Sequence, residues 1–156
     1  MTVQKVGVVG CGLMGHGIAQ VAAQAGCQVT VLEADAGALE KGLGRINKSL
    51  GKLVQKEKIS QADADKAFGH ITGTGEVKDL ADCDLVVEAI VENLDVKNAL
   101  FKDLGALCKA ETIFASNTSS FPVSEMGAAS GRPERIVGLH FFNPVQLMRL
   151  VEVVRT

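Results

Sequence analysis

The sequence predicts a Rossmann-type, doubly wound α/β domain whose sheet is mostly parallel, with antiparallel strands at the C-terminal end. Three observations carry this. Short β-branched runs alternate with helical stretches along the whole chain. The first run leads into a glycine-rich turn that opens a helical pattern, Gly10-Cys11-Gly12-Leu13-Met14-Gly15. No internal repeat or low-complexity linker divides the 156 residues, a length that suits one domain with a real core.

Each element follows from local pattern. Val3 to Val9 reads as a short buried strand, and Leu13 to Ala25 as a helix stopped by Gly26. Cys27 to Leu32 is a second strand. Gly37 to Gln55 is an amphipathic helix, with Leu39, Leu43, Ile46, Leu50, Leu53 and Val54 recurring every three to four residues. Ser60 suits the N-cap of a short helix. His70 to Thr74 is a third strand and Asp84 to Ala89 a fourth, followed by a helix over Leu94 to Leu107. Thr112 to Ala115 is a fifth strand, and Phe121-Pro122 opens a turn and a short helix. Ile136 to Phe142 and Leu147 to Val154 are two last strands, joined by a short turn at Asn143-Pro144. The chain stops on strand-like residues with nothing after them to cover a face, which suggests a domain excised from a longer protein.

Composition removes several function classes. Hydrophobic residues make up 47% and charged residues 22%, a globular balance. A net charge of -2, with no Trp and no Tyr, argues against nucleic acid as a partner. The apolar stretch from Val6 to Ala25 is neither a membrane span nor a signal peptide. Glycines and His16 interrupt it, and its pattern changes midway from strand to helix. Cys11, Cys27, Cys83 and Cys108 form no C-x-x-C pair, so they read as reduced structural thiols of a cytoplasmic protein, with no metal site.

The loop at Gly10, Gly12 and Gly15 fits G-x-G-x-x-G in its proper context, after a strand and before a helix. Gly10 makes the tight turn. Gly12 lets a pyrophosphate approach the backbone, with Leu13 and Met14 beside it, and Gly15 lets the helix pack close to the strand. The helix N-terminus offers free N–H groups to phosphates. Glu33 stands about twenty residues on, at the end of the second strand, where a carboxylate accepts hydrogen bonds from ribose hydroxyls. It would repel a 2′-phosphate, Asp35 adds to that field, and no Arg stands in the immediate vicinity. The cofactor implied is NAD rather than NADP; the plainer reading of Glu33 is a solvated turn acid. His16 is a first-turn residue near the cofactor.

Three further strand ends carry polar clusters: Glu88 and Glu92; Ser116-Asn117-Thr118-Ser119-Ser120; and His140 with Asn143. All should converge on one sheet edge. If residues 135 to 154 form an antiparallel pair centred near Gln146, His140 lies opposite Glu152, with Cβ atoms roughly 5 Å apart. The carboxylate would then hold one imidazole nitrogen and leave the other to take a proton from a substrate hydroxyl. The same spacing is also compatible with a purely structural His–Glu pair.

GCGLMGHGIAQ, VVEAIVENLDVKNALF, IFASNTSS and GLHFFNPVQLMRLVEVV together resemble the N-terminal, NAD-binding domain of the L-3-hydroxyacyl-CoA and 3-hydroxybutyryl-CoA dehydrogenases. The similarity runs from about Val3 to the last residue, so residues 1–156 read as that domain. The resemblance implies reversible oxidation of an L-3-hydroxyacyl-CoA to the 3-ketoacyl-CoA, as in fatty-acid β-oxidation. It makes His140 the general base, Glu152 its orienting partner, and Ser119 the serine that reaches the substrate oxygen. It places Glu92, Lys97, Ser119 and Asn143 against NAD, and Ser49 and Lys56 against coenzyme A. Ser49 and Lys56 are seven apart on a predicted helix, close to Arg45, Lys48 and Lys52, so they share a basic face. Without the resemblance that face reads as ordinary solvated surface.

The resemblance implies a helical C-terminal domain that closes over the acyl-CoA and usually forms the dimer, and residues 1–156 are not expected to include it. Weak or no turnover is therefore expected of this chain by itself, with its final strand open to association, including a possible homo-oligomer. Two other readings are a non-catalytic NAD-binding or structural module of the same family, and a relative of the β-hydroxyacid or 6-phosphogluconate dehydrogenases. The latter share a glycine loop with methionine but lack HFFNP.

Overall fold

In a computed structural model, residues 2–155 are described. Seven strands form one sheet: β1 (Lys5–Val9), β2 (Gln28–Leu32), β3 (Ile71–Thr74), β4 (Leu85–Glu88), β5 (Ile113–Ser116), β6 (Ile136–Phe141) and β7 (Val151–Arg155). Their spatial order is β3-β2-β1-β4-β5-β6-β7. The first six run parallel; only the β6–β7 pair is antiparallel. The chain leaves β1 toward β2 and β3, then returns to lay β4 on its other side. That reversal opens a crevice at the carboxyl ends of β1 and β4.

Helices α1 (Gly15–Gln24), α2 (Ala36–Gln55) and α3 (Gln61–Gly69) cover one face; α4 (Leu94–Leu107) and α5 (Val123–Ser130) cover the other. Strand alternation feeds both layers. Val6 and Val8 pack with Ile18, Ile46 and Leu50, while Val9 and Val86 pack with Phe101, Leu104 and Met126. Helix ends follow the sequence rules. Asp35 accepts from the Ala38 N–H at 2.6 Å to cap α2. Ser60 and Asp63 form a reciprocal capping box on α3, Asn93 caps α4, and Gly26 carries the left-handed φ of +92° after α1.

One expectation fails. The last two strands are not joined by a tight turn. Residues 142–150 make a longer loop, and β7 starts at Val151, not Leu147. Val145 explains this: it is 5% exposed and joins the core beside α1. Gln146 follows it, donating from Nε2 to Gln20 Oε1 at 3.3 Å. Drawing Val145 inward spreads the turn but keeps Gln146 at its centre. β7 lies at the sheet edge with all its residues exposed. No helix among the described residues is long and apolar enough to cross a membrane.

Candidate active site

The glycine loop joins β1 to α1 under two constraints. Gly10 has φ +94°, a left-handed conformation that only glycine adopts freely. At Gly15, a Cβ would stand 1.8 Å from the Gly10 carbonyl oxygen, so the helix rests directly on the loop. Gly12, in contrast, faces open space, with no atom within 4 Å of a Cβ there. Helices α2, α3 and α4 each take a side-chain cap, but no side chain caps α1. Apart from the His16 N–H, which donates to the Gly12 carbonyl at 3.3 Å, its first N–H groups remain available to an anion.

A cleft of about 530 Å³ opens over this loop. Glu33 stands at one end, its Oε2 accepting the Cys11 N–H at 3.0 Å. Exposed Leu13, Val91 and Val96 supply apolar walls, and Glu92, Lys97 and Asn117 lie at the other end. A donor-rich helix end, open space at Gly12, an anchored carboxylate and apolar walls together fit a dinucleotide. His16 donates from Nδ1 to the Gly12 carbonyl at 2.7 Å, beside the loop and outside the cleft lining. The Cys11 side chain turns inward, and burial, then the charge of Glu33, push its thiol up to about 11. Cys83 is likewise pushed up to about 11 by burial. Arg45 of α2 comes within electrostatic range of Cys11, a neighbour that sequence spacing did not suggest.

Behind the cleft lies a buried polar cluster. Glu88, fully buried at the end of β4, accepts from the Ile90 N–H at 2.8 Å and from Ser116 Oγ at 2.6 Å, and pairs with the Lys97 ammonium. Lys97, itself 1% exposed, stands 3.6 Å from Glu92, and Thr118 donates to Glu92 at 3.0 Å. Ser116 Oγ accepts the Thr118 N–H at 3.2 Å. The expected cofactor lysine thus lies in the cleft floor with its charge already matched.

A second cleft, of about 630 Å³, is lined by Ser119, Thr118, His140 and Val154 among others. His140 and Glu152 are directly paired in the β6–β7 ladder, and His140 Nδ1 donates to Glu152 Oε2 at 2.9 Å. That leaves Nε2 as the free nitrogen. The Phe142 ring tilts against the imidazole at 4.8 Å between centroids. Asn117 ties the two clefts together: it lines the first, and its Oδ1 accepts the Phe141 N–H, next to His140, at 2.8 Å.

The remaining candidates lie elsewhere. Asn143 is exposed on the 142–150 loop and lines neither cleft. Ser49 is half-buried on α2 and Lys56 caps its end; with exposed Arg45, Lys48 and Lys52 they form a basic side that lines neither cleft. Sequence reasoning gave Asn117 and Glu88 only a general place, as members of the strand-end polar clusters. Their positions at strand ends were the available signal.

Comparison with known proteins agrees with this architecture. The family model described as "3-hydroxyacyl-CoA dehydrogenase, NAD binding domain" matches residues 5–156. A probable 3-hydroxybutyryl-CoA dehydrogenase of Deinococcus radiodurans is 55% identical over 151 residues, covering 97% of this chain and 54% of that protein. The 3-hydroxybutyryl-CoA dehydrogenase of Bradyrhizobium diazoefficiens is 46% identical over 153 residues, covering 98% and 52%. The solved (S)-3-hydroxybutyryl-CoA dehydrogenase of Ralstonia eutropha superposes with a TM-score of 0.95 at 40% identity, covering 99% of this chain and 54% of that one. The chain spans about half the length of these relatives.

Proposed function

The chain belongs to the 3-hydroxyacyl-CoA dehydrogenase family as its NAD-binding domain, and on that premise we propose that it forms the cofactor half of an enzyme that reversibly oxidises an L-3-hydroxyacyl-CoA to the 3-ketoacyl-CoA. The observation that carries the proposal is the His140–Glu152 pair, whose imidazole shares a cleft with Ser119 beside the glycine-loop cleft.

The residues divide the work. The first turn of α1 and Gly12 take the pyrophosphate, and Glu33 takes the ribose hydroxyls at the adenosine end. NAD, when bound, supplies the acceptor for the substrate's hydride. His140 Nε2 accepts the substrate hydroxyl proton in oxidation and returns it in reduction. Glu152, holding Nδ1–H, fixes the tautomer of the neutral ring, so that the lone pair sits on Nε2. The Ser119 hydroxyl donates to the substrate oxygen. Ser49 and Lys56 receive coenzyme A phosphates on the basic side of α2, an assignment that rests on the family resemblance. The exposed β7 valines, with Leu147 and Leu150, suit cover by a helical domain of the complete enzyme. Four free cysteines suit a reducing, cytoplasmic setting.

Turnover of acetoacetyl-CoA with NADH by the complete enzyme proposed here tests the reaction, and absence of turnover there rejects it. Titration of this chain with both cofactors tests the ligand. Glu33 and Asp35 should make NADP bind at least about tenfold more weakly than NAD; equal affinity rejects the cofactor assignment.

A further inference from the structure

Glu88 is a buried ionisable group that the proposed reaction does not use. It is fully buried and lines neither cleft, yet its contacts reach both: Ile90 and Lys97 line the first, and Thr118, bonded to its partner Ser116, lines the second. Burying a carboxylate is costly unless its lone pairs are met, and here they are met by three separate elements. Oε1 takes the Ile90 N–H, from the segment that walls the cofactor cleft, and the Lys97 ammonium, from α4. Oε2 takes the Ser116 hydroxyl at the end of β5. The chain of contacts continues outward. Ser116 Oγ receives the Thr118 N–H, and Thr118 Oγ1 donates to Glu92 while accepting the Ser120 and Phe121 N–H groups at 3.3 and 3.2 Å. Ser119 lies inside that turn.

We infer that Glu88 is a positioning residue that holds the Lys97–Glu92 end of the cofactor cleft and the 116–120 turn in one fixed relation, so that the cleft's far half and the Ser119–His140 cleft are set by a single buried carboxylate. The inference rests on the reading that the first cleft takes NAD. In that reading the adenosine half lies toward Glu33 and the nicotinamide half toward β4 and β5, across the point where the strand order reverses. The side-chain hydrogen bonds of Glu88 go to Ile90, Lys97 and Ser116, and none goes to the Glu33 end. Its loss should therefore be felt by the half of the ligand that reaches Lys97, Glu92 and Asn117, and not by the adenosine half.

Glu88→Gln keeps the shape and can still meet Ser116 or Ile90, but it cannot balance the Lys97 ammonium. Lys97 then turns to Glu92, 3.6 Å away, and draws it from Thr118. Binding of NAD+ and of ADP-ribose to this chain, measured by calorimetry together with thermal unfolding, tests this. In E88Q, NAD+ affinity should fall about tenfold while ADP-ribose affinity stays within about twofold of wild type. The double variant E88Q/K97M removes both charges. It should regain thermal stability without regaining NAD+ affinity. Ser116→Ala leaves the ion pair intact and cuts only the link to the turn; it should weaken NAD+ about threefold. Unchanged NAD+ affinity in E88Q or in S116A overturns the inference. So does an equal loss for both ligands, or recovery of NAD+ affinity along with stability in the double variant. A wild-type chain that binds neither ligand overturns the cofactor reading and this inference with it.

Discussion

Alanine at Gly12 and alanine at Gly15 should fail in opposite ways. At Gly15 the new Cβ would lie 1.8 Å from the Gly10 oxygen, 1.2 Å short of the 3.0 Å that real Cβ atoms keep. The first turn of α1 must therefore back away from the loop by about that distance. Hydrogen-bond lengths span only about 0.5 Å, so the amides that meet a pyrophosphate lose their alignment. Overpacking of this kind costs about 1–3 kcal/mol, which for a chain of this size is a drop of roughly 3–10 °C in Tm. At Gly12 nothing lies within 4 Å, and its φ is not in the left-handed region. Alanine there should leave stability within about 0.5 kcal/mol of wild type. Its methyl group, however, occupies the space through which phosphate oxygens reach the backbone, and loss of one or two charged hydrogen bonds weakens NAD on the order of a hundredfold. Scanning fluorimetry and calorimetric NAD titration of the wild type, G12A and G15A separate the cases. Normal NAD affinity in G12A, or a fall in its Tm as large as that of G15A, would refute the reasoning.

Two other outcomes are expected. His140→Ala in the complete enzyme should lower the rate about 10²–10⁴-fold with NAD affinity within about twofold of wild type, because the imidazole lines the second cleft and not the first; a parallel loss of NAD affinity contradicts the role. Asp84 accepts from Lys109 Nζ at 2.5 Å and from the Gln4 and Lys5 N–H groups at 2.8 and 2.9 Å, and these bonds hold its carboxyl well below the usual carboxylate range. A depressed folded-state value means the stabilisation is complete above the unfolded value of about 3.9 and is lost as pH falls below it. Asp84→Asn should therefore be less stable than wild type in urea at pH 7, with the gap narrowing below about pH 4; a gap independent of pH contradicts the assignment.

Much of the fold was legible because it depends on local rules. The helix over Leu94–Leu107 came out with the bounds its pattern implied, and the Ser60 cap and Gly26 stop were each readable from a single residue and its neighbours. The His140–Glu152 pairing was legible too, despite its separation. Antiparallel register is arithmetic about a centre, and Gln146 remained the centre although the turn around it was longer than expected.

The sequence by itself determined the glycine loop, the acid at its far end, the strand–helix alternation and the His140–Glu152 pairing, since each is set by spacing along the chain. Tertiary structure alone decided which of two nearby carboxylates is buried. Glu88 and Glu92 are four residues apart and equally acidic on paper, yet Glu88 is sealed against Lys97 and Ser116 while Glu92 stays half-exposed in the cleft. Only the docking of β5 and α4 onto β4 brings those partners together. Tertiary packing likewise drew Val145 onto α1 and set Asn117 against Phe141. Those contacts depend on which surfaces meet once the core has closed, and no local pattern encodes that.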